Sequence, residues 1–149
     1  MTKFGHFGLF IYRLILGTMM IKGHGLIKLT RLLEGNMEFP DPIGIGASTS
    51  LVLTICAEVL GSILVMAGFH CRFAAFSVTA TLCVAGLLVH AQDPFFPEFV
   101  SKLSEAYPYL LTPSKEYALL YALSFGILIF VGPGKFSIDK ASSKSTANN

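Results

Sequence analysis

Four long, predominantly apolar stretches, each near the length that crosses a bilayer, constrain this chain more than any other feature. A hydrocarbon core of about 30 Å needs about 20 apolar residues in a helix. The stretches run roughly from Phe7 to Ile27, Ile45 to Phe69, Phe73 to His90 and Lys115 to Val131. The third is short and would stand nearly upright or thin the bilayer locally. β-Branched and aromatic residues are frequent, but the stretches are too long for barrel strands and lack in–out alternation. The expected fold class is therefore all-α, an integral membrane four-helix bundle. One membrane domain is expected over residues 1–140, with a small polar tail at 141–149 expected to be disordered.

Composition agrees with this reading. The 149 residues suffice for one domain. Charged residues are 13% against 53% apolar, too few to coat a soluble fold of this size. Arg13 interrupts the first stretch and no small-x-small cleavage site follows, so this stretch reads as a retained helix. A net charge of +2 gives no electrostatic support to nucleic-acid binding. Cys56, Cys71 and Cys83 form no C-x-x-C pair, and an odd number is no disulfide framework. In mid-helix, Cys56 and Cys83 read as small hydrophobes.

Four spans would put both termini on one side. The N-terminus, the turn between the second and third stretches and the tail carry Lys3, Arg72, Lys135, Lys140 and Lys144, with Asp139 as their acid. The other two loops carry Lys28, Arg31, Lys102 and Lys115 among six acids. The basic residue in the short turn favours cytoplasmic termini. The 28–44 segment reads as a loop, with turns at Gly35-Asn36 and Pro40-Asp41-Pro42. The 91–114 segment, rich in proline, phenylalanine and tyrosine, reads as a loop or short interfacial helix on the outer surface.

Ionisable residues in hydrocarbon are costly and tend to face partners or function. Arg13 and Glu58 lie inside the first and second stretches. Counted from the cytoplasmic ends, they lie about 9 Å and about 16 Å deep, near enough for a direct or water-bridged pair. Such a pair would either lock the helices or do chemistry. A second group, His24, His90, Asp93 and Glu116, should gather at the outer end. Arg13, Gly17, Met20 and His24 are spaced to share one helix face. Lys22 points elsewhere, free to snorkel to the headgroups. Imidazoles near a carboxylate suit a proton relay or a metal. Their spacing matches no standard metal motif, so no metal site is expected. Small residues such as Gly61, Ser62 and Gly86 suit close helix packing.

These residues also carry a family resemblance, spread from about Phe10 to Asp139. Its elements are Arg13-Leu14 with Gly17, the run Lys22-Gly23-His24-Gly25-Leu26-Ile27-Lys28-Leu29, and Phe39-Pro40. Glu58 with Gly61, Gly68 and Arg72 follows, then His90-Ala91-Gln92-Asp93-Pro94-Phe95. The last are Glu116-Tyr117-Ala118-Leu119-Leu120-Tyr121 and Gly132-Pro133-Gly134-Lys135-Phe136-Ser137-Ile138-Asp139. In order and spacing they resemble the DoxX family of small four-helix membrane proteins. That resemblance implies a multi-pass protein of the plasma (inner) membrane. It also implies work in or beside quinone-linked redox chemistry, because the family takes its name from a subunit related to thiosulfate–quinone oxidoreductase.

The chain has no dinucleotide fingerprint, iron–sulfur cysteine set or C-x-x-C pair. A redox role would need a diffusible quinone and a membrane or membrane-associated oxidoreductase partner. A quinone requires donors at its carbonyls and protons on reduction, and Arg13, Glu58 and His90 are the candidate contacts. The alternatives are a noncatalytic structural or assembly component of a membrane complex, and a small transporter whose intramembrane charges line a path.

Overall fold

In the computed structural model, residues 2–95 and 115–146 are described, with side chains as far as Ser142. Among the described residues the fold is all helix, with no strand. Helix α1 is Lys3–Leu33, α2 Ala47–Ala67 and α3 Cys71–Val89, each long and apolar enough to cross a bilayer. Helix α4 is Lys115–Val131 and α5 is Ile138–Thr146. The chain is thus an all-α membrane protein with three helices of spanning length among the described residues. Large apolar side chains including Ile15, Leu60, Phe73, Phe76, Leu123 and Phe130 are exposed on its outside, as contact with hydrocarbon requires.

Helix α1 departs most from the sequence expectation. Thr2 caps its start, its side chain accepting from the Gly5 amide at 3.2 Å. It runs on through Lys28, where the sequence suggested a loop, because Leu26–Leu33 keeps a strongly amphipathic helical period. Lys28 and Arg31 ride on that last stretch instead of ending the helix. The Asn36 amide then bonds the Arg31 carbonyl at 3.0 Å and closes it. The tail expected to be disordered from Ala141 is helical through Thr146. Ser137 starts this helix, its hydroxyl accepting from the Lys140 amide and its carbonyl from that of Ala141. The aromatic segment beyond Phe95 and the last three residues lie outside the described residues.

The four longer helices enclose one core. Its centre is Leu16 and Met20 of α1, Val65 of α2, Val78 and Leu82 of α3, and Phe125 and Leu128 of α4. Small residues set the spacing. A Cβ on Gly61 would stand 2.8 Å from Val78 Cγ2, and one on Gly17 would overlap Met66. Such close backbones gain dispersion contacts that lipid cannot supply. Tyr12 ties α1 to α4 by donating its hydroxyl to the Ser124 carbonyl at 2.9 Å.

Candidate functional site

Three π-helical turns interrupt the long helices, at Ile21–Gly25, Cys56–Gly61 and Ala85–Val89. Each adds a residue to one turn, which re-aims the side chains around it, and such turns concentrate at functional sites. Here all three border one cavity of about 600 Å³ between α1, α2, α3 and the 39–45 segment. The first supplies His24, the second Glu58, and the third ends at His90, whose amide bonds the Ala85 carbonyl at 2.9 Å.

At the cavity wall Lys28 Nζ lies 2.6 Å from both carboxylate oxygens of Glu58. Gly25 makes this approach feasible, because a Cβ there would press on Val59 at 2.7 Å. The His24 ring meets Tyr121 edge-on at 5.3 Å between centroids. His90 Nδ1 lies 2.6 Å from Asp93 Oδ2, at a partly exposed rim. The remaining wall is mostly apolar, with Ile27, Phe39, Leu53, Val84 and Val89, and its other polar groups are the Arg31 guanidinium and the hydroxyls of Ser50, Thr54 and Thr81.

Asp41 secures the loop that covers this cavity. Its carboxylate accepts from the Gly46 amide at 2.7 Å, the Ile45 amide at 3.0 Å and the Ser50 hydroxyl at 2.8 Å. The Gly46 amide, then the Ser50 hydroxyl, hold its carboxyl below the ordinary value of 3.8. Asp41 thereby fixes the two residues that precede α2 and a hydroxyl in its first turn.

The sequence candidates therefore divide. His24, Glu58 and His90 line one cavity, and Asp93 supports His90 at its rim. Glu116 does not line it; its amide bonds the Phe95 carbonyl at 3.1 Å at the start of α4. Among the described residues no three of His, Cys, Asp and Glu gather closely enough to hold a metal ion.

Arg13 does not pair with Glu58, which corrects the sequence expectation. Its guanidinium is fully buried at the opposite end of the bundle. It donates to the Val65 carbonyl at 3.4 Å and to the Phe136 carbonyl, with the Phe10 ring 5.8 Å away. The reason is axial register. Arg13 stands level with Val65 and Gly68, at the end of α2, while Glu58 stands level with Gly25 and Lys28. The first turns of α1 overhang α2 and pack on the chain after α4, with Phe7 and Phe10 against Phe136. Depth counted from Phe7 therefore misplaces Arg13. Lys28, the partner Glu58 does have, falls where the sequence suggests a loop. Its spacing of four from His24 was the signal that it shares the inner face.

A family model for DoxX matches residues 8–91, more than half of the 149 residues. The chain belongs to the DoxX family. No curated protein and no solved structure gives a significant match. The DoxX match spans every residue that lines the cavity. It ends before Asp93, Glu116 and the 132–139 segment that holds Arg13, so the resemblance seen in those later residues lies outside it.

Proposed function

We propose that this DoxX protein binds a membrane quinone in the cavity bounded by His24, Lys28, Glu58 and His90. In this reading it serves as a subunit or accessory of a quinone-linked redox complex in the plasma (inner) membrane. The observation that carries the reading is a largely apolar cavity of about 600 Å³ on which two imidazoles and a lysine–glutamate pair converge. Small-molecule sites are typically about 300–1,000 Å³, apolar, with a few convergent polar groups.

The residues fit a quinone headgroup. Ile27, Phe39, Leu53 and Val84 offer apolar surface for a ring and its tail. Lys28 and the two histidines are donors suited to quinone carbonyls. Glu58 and the imidazoles can hold protons close to such a ring. Electrons would pass to or from a partner protein, since the sequence carries no motif for a redox centre. Arg13, buried in its own contacts, has no part in this site.

The same reading takes α4 as a fourth span, giving a four-helix bundle with cytoplasmic termini. Its 17 described residues rise about 26 Å, a mismatch that local thinning of the bilayer accommodates. Arg72 and Lys135 on the side of the termini support that orientation.

Native mass spectrometry of the protein extracted gently from its own membrane tests the proposal. Stoichiometric quinone, lost in Glu58→Gln and His90→Ala, is expected. A bound partner without quinone would replace this reading with a noncatalytic accessory role. Neither quinone nor partner would leave a bare membrane protein and favour transport.

A further inference from the structure

At the end of the bundle opposite the cavity, a second hollow of about 760 Å³ lies between the starts of α1 and α3 and the chain after α4. Its lining carries the cations Arg72, Lys135 and Lys140, the imidazoles of His6 and His70, the acid Asp139 and the Cys71 thiol. Asp139 is already engaged. Its two oxygens accept the amides of His70 at 2.8 Å and Cys71 at 3.1 Å. Arg72 donates to the Phe130 carbonyl at 3.3 Å. Among the described residues none of the three cations forms an ion pair. His6 Nδ1 is buried without a partner. His70 is held at φ 44, a left-handed backbone uncommon outside glycine, at the edge of this hollow.

A hollow with three unpaired cations is complementary to an anion, and the His6 imidazole adds a donor when Nδ1 carries its proton. The rest of its lining says which kind. Phe73 and Val131 share the hollow yet are 71% and 46% exposed, and Phe76 and Phe130 continue that apolar surface outward. The site also stands where α2 ends and α3 begins, at the boundary of two helices of membrane-spanning length. Basic pockets at this depth between membrane helices suit lipid headgroups.

We propose that this hollow binds an anionic phospholipid, with Arg72, Lys135 and Lys140 on the headgroup phosphate and Phe73 and Val131 against its acyl chains. This assignment is independent of what the quinone cavity does. It is tested by native mass spectrometry of the full chain in neutral detergent, titrated with dioctanoyl phosphatidylglycerol, dioctanoyl phosphatidylcholine or inorganic phosphate. One phosphatidylglycerol per chain is expected, with phosphatidylcholine and phosphate at least about tenfold weaker. Lys135→Ala and Lys140→Ala should each weaken phosphatidylglycerol about fivefold, and Lys22→Ala should not. Both lysines are exposed, so an unchanged thermal midpoint without lipid confirms that the variants fold. As a second readout, protection of that midpoint by phosphatidylglycerol should fade with added salt. Equal binding of the two lipids, or no loss in the variants, would overturn the proposal. Phosphate binding as tightly as phosphatidylglycerol would overturn the lipid assignment.

Discussion

Lys28 Nζ sits 2.6 Å from each carboxylate oxygen of Glu58, joining the late turns of α1 to the middle of α2. The side chains are 21% and 3% exposed, so the acid is the buried member. Removing one partner of a fully buried pair costs about 3–5 kcal/mol, because the other charge is left without compensation. Lys28 keeps some solvent, so Lys28→Ala is expected at the lower end, about 3 kcal/mol. Thermal unfolding in detergent reads this. Replacing both, as Lys28→Met with Glu58→Leu, should recover most of the loss. The same double variant should still fail to bind quinone. If it binds quinone like the parent, the pair is structural and lies outside the proposed site.

Arg13 should behave in the opposite way. Its bonds to the Val65 and Phe136 carbonyls hold the chain after α4 onto α1 and α2. The Asp139 amide bonds the Gly68 carbonyl at 3.0 Å in the same corner. Hydrogen bonds from a charged donor contribute about 1.5–3 kcal/mol each, so Arg13→Ala is expected to cost roughly 3 kcal/mol or more. Hydrogen exchange over residues 132–139 should rise, while quinone affinity stays within about twofold. Gly68→Ala should act alike, since its Cβ would overlap the Arg13 guanidinium at a left-handed φ of 67. Lost quinone affinity with unchanged exchange would contradict this assignment of Arg13.

Rotation around α1 was legible in the sequence and axial register was not. The spacing of Arg13, Gly17, Met20 and His24 marks one inner face, and the first three are buried while His24 lines the cavity. A helical period says nothing about which residue of a neighbouring helix lies alongside. That depends on where each helix ends, and the amphipathic run through Leu33 carries α1 past the expected stop. The π turns left no mark in composition, although they aim His24 and Glu58. The Arg13 corner was equally hidden, because its acceptors are backbone carbonyls, which every residue has.

Asp139 should prove to be a helix cap supplied from outside its helix. Its carboxylate takes the His70 and Cys71 amides at the start of α3, from 69 and 68 residues away. Loss of an N-cap costs about 0.5–2 kcal/mol. Asp139→Ala is expected within that range and Asp139→Asn below it, since the amide keeps one acceptor oxygen. The thermal midpoint checks the size, and faster exchange at residues 70–74 checks the place. Exchange changes confined to residues 138–146 would show that Asp139 serves only its own helix.

Asp41 gives a pH dependence whose sign is fixed by its hydrogen bonds. The Gly46 amide, followed by the Ser50 hydroxyl, holds the folded carboxyl below its ordinary 3.8. As pH falls, the unfolded or detached loop therefore takes up the proton first. The stabilisation is complete above the ordinary carboxylate value and is lost as pH drops through the lower folded value. The group lies in a loop, so the loss should be local. Exchange at residues 45–50, corrected for intrinsic rates, should be protected near neutral pH and released as pH falls from the ordinary carboxylate value through the lower folded one. Asp41→Asn keeps an oxygen but loses the charge and one acceptor, so it should show released exchange already at neutral pH and little further change in acid. Since Phe39, Pro40 and Ile43 cover the cavity from this loop, Asp41→Asn should also speed dissociation of a bound quinone. Parent-like acid behaviour in that variant would place the titrating group elsewhere.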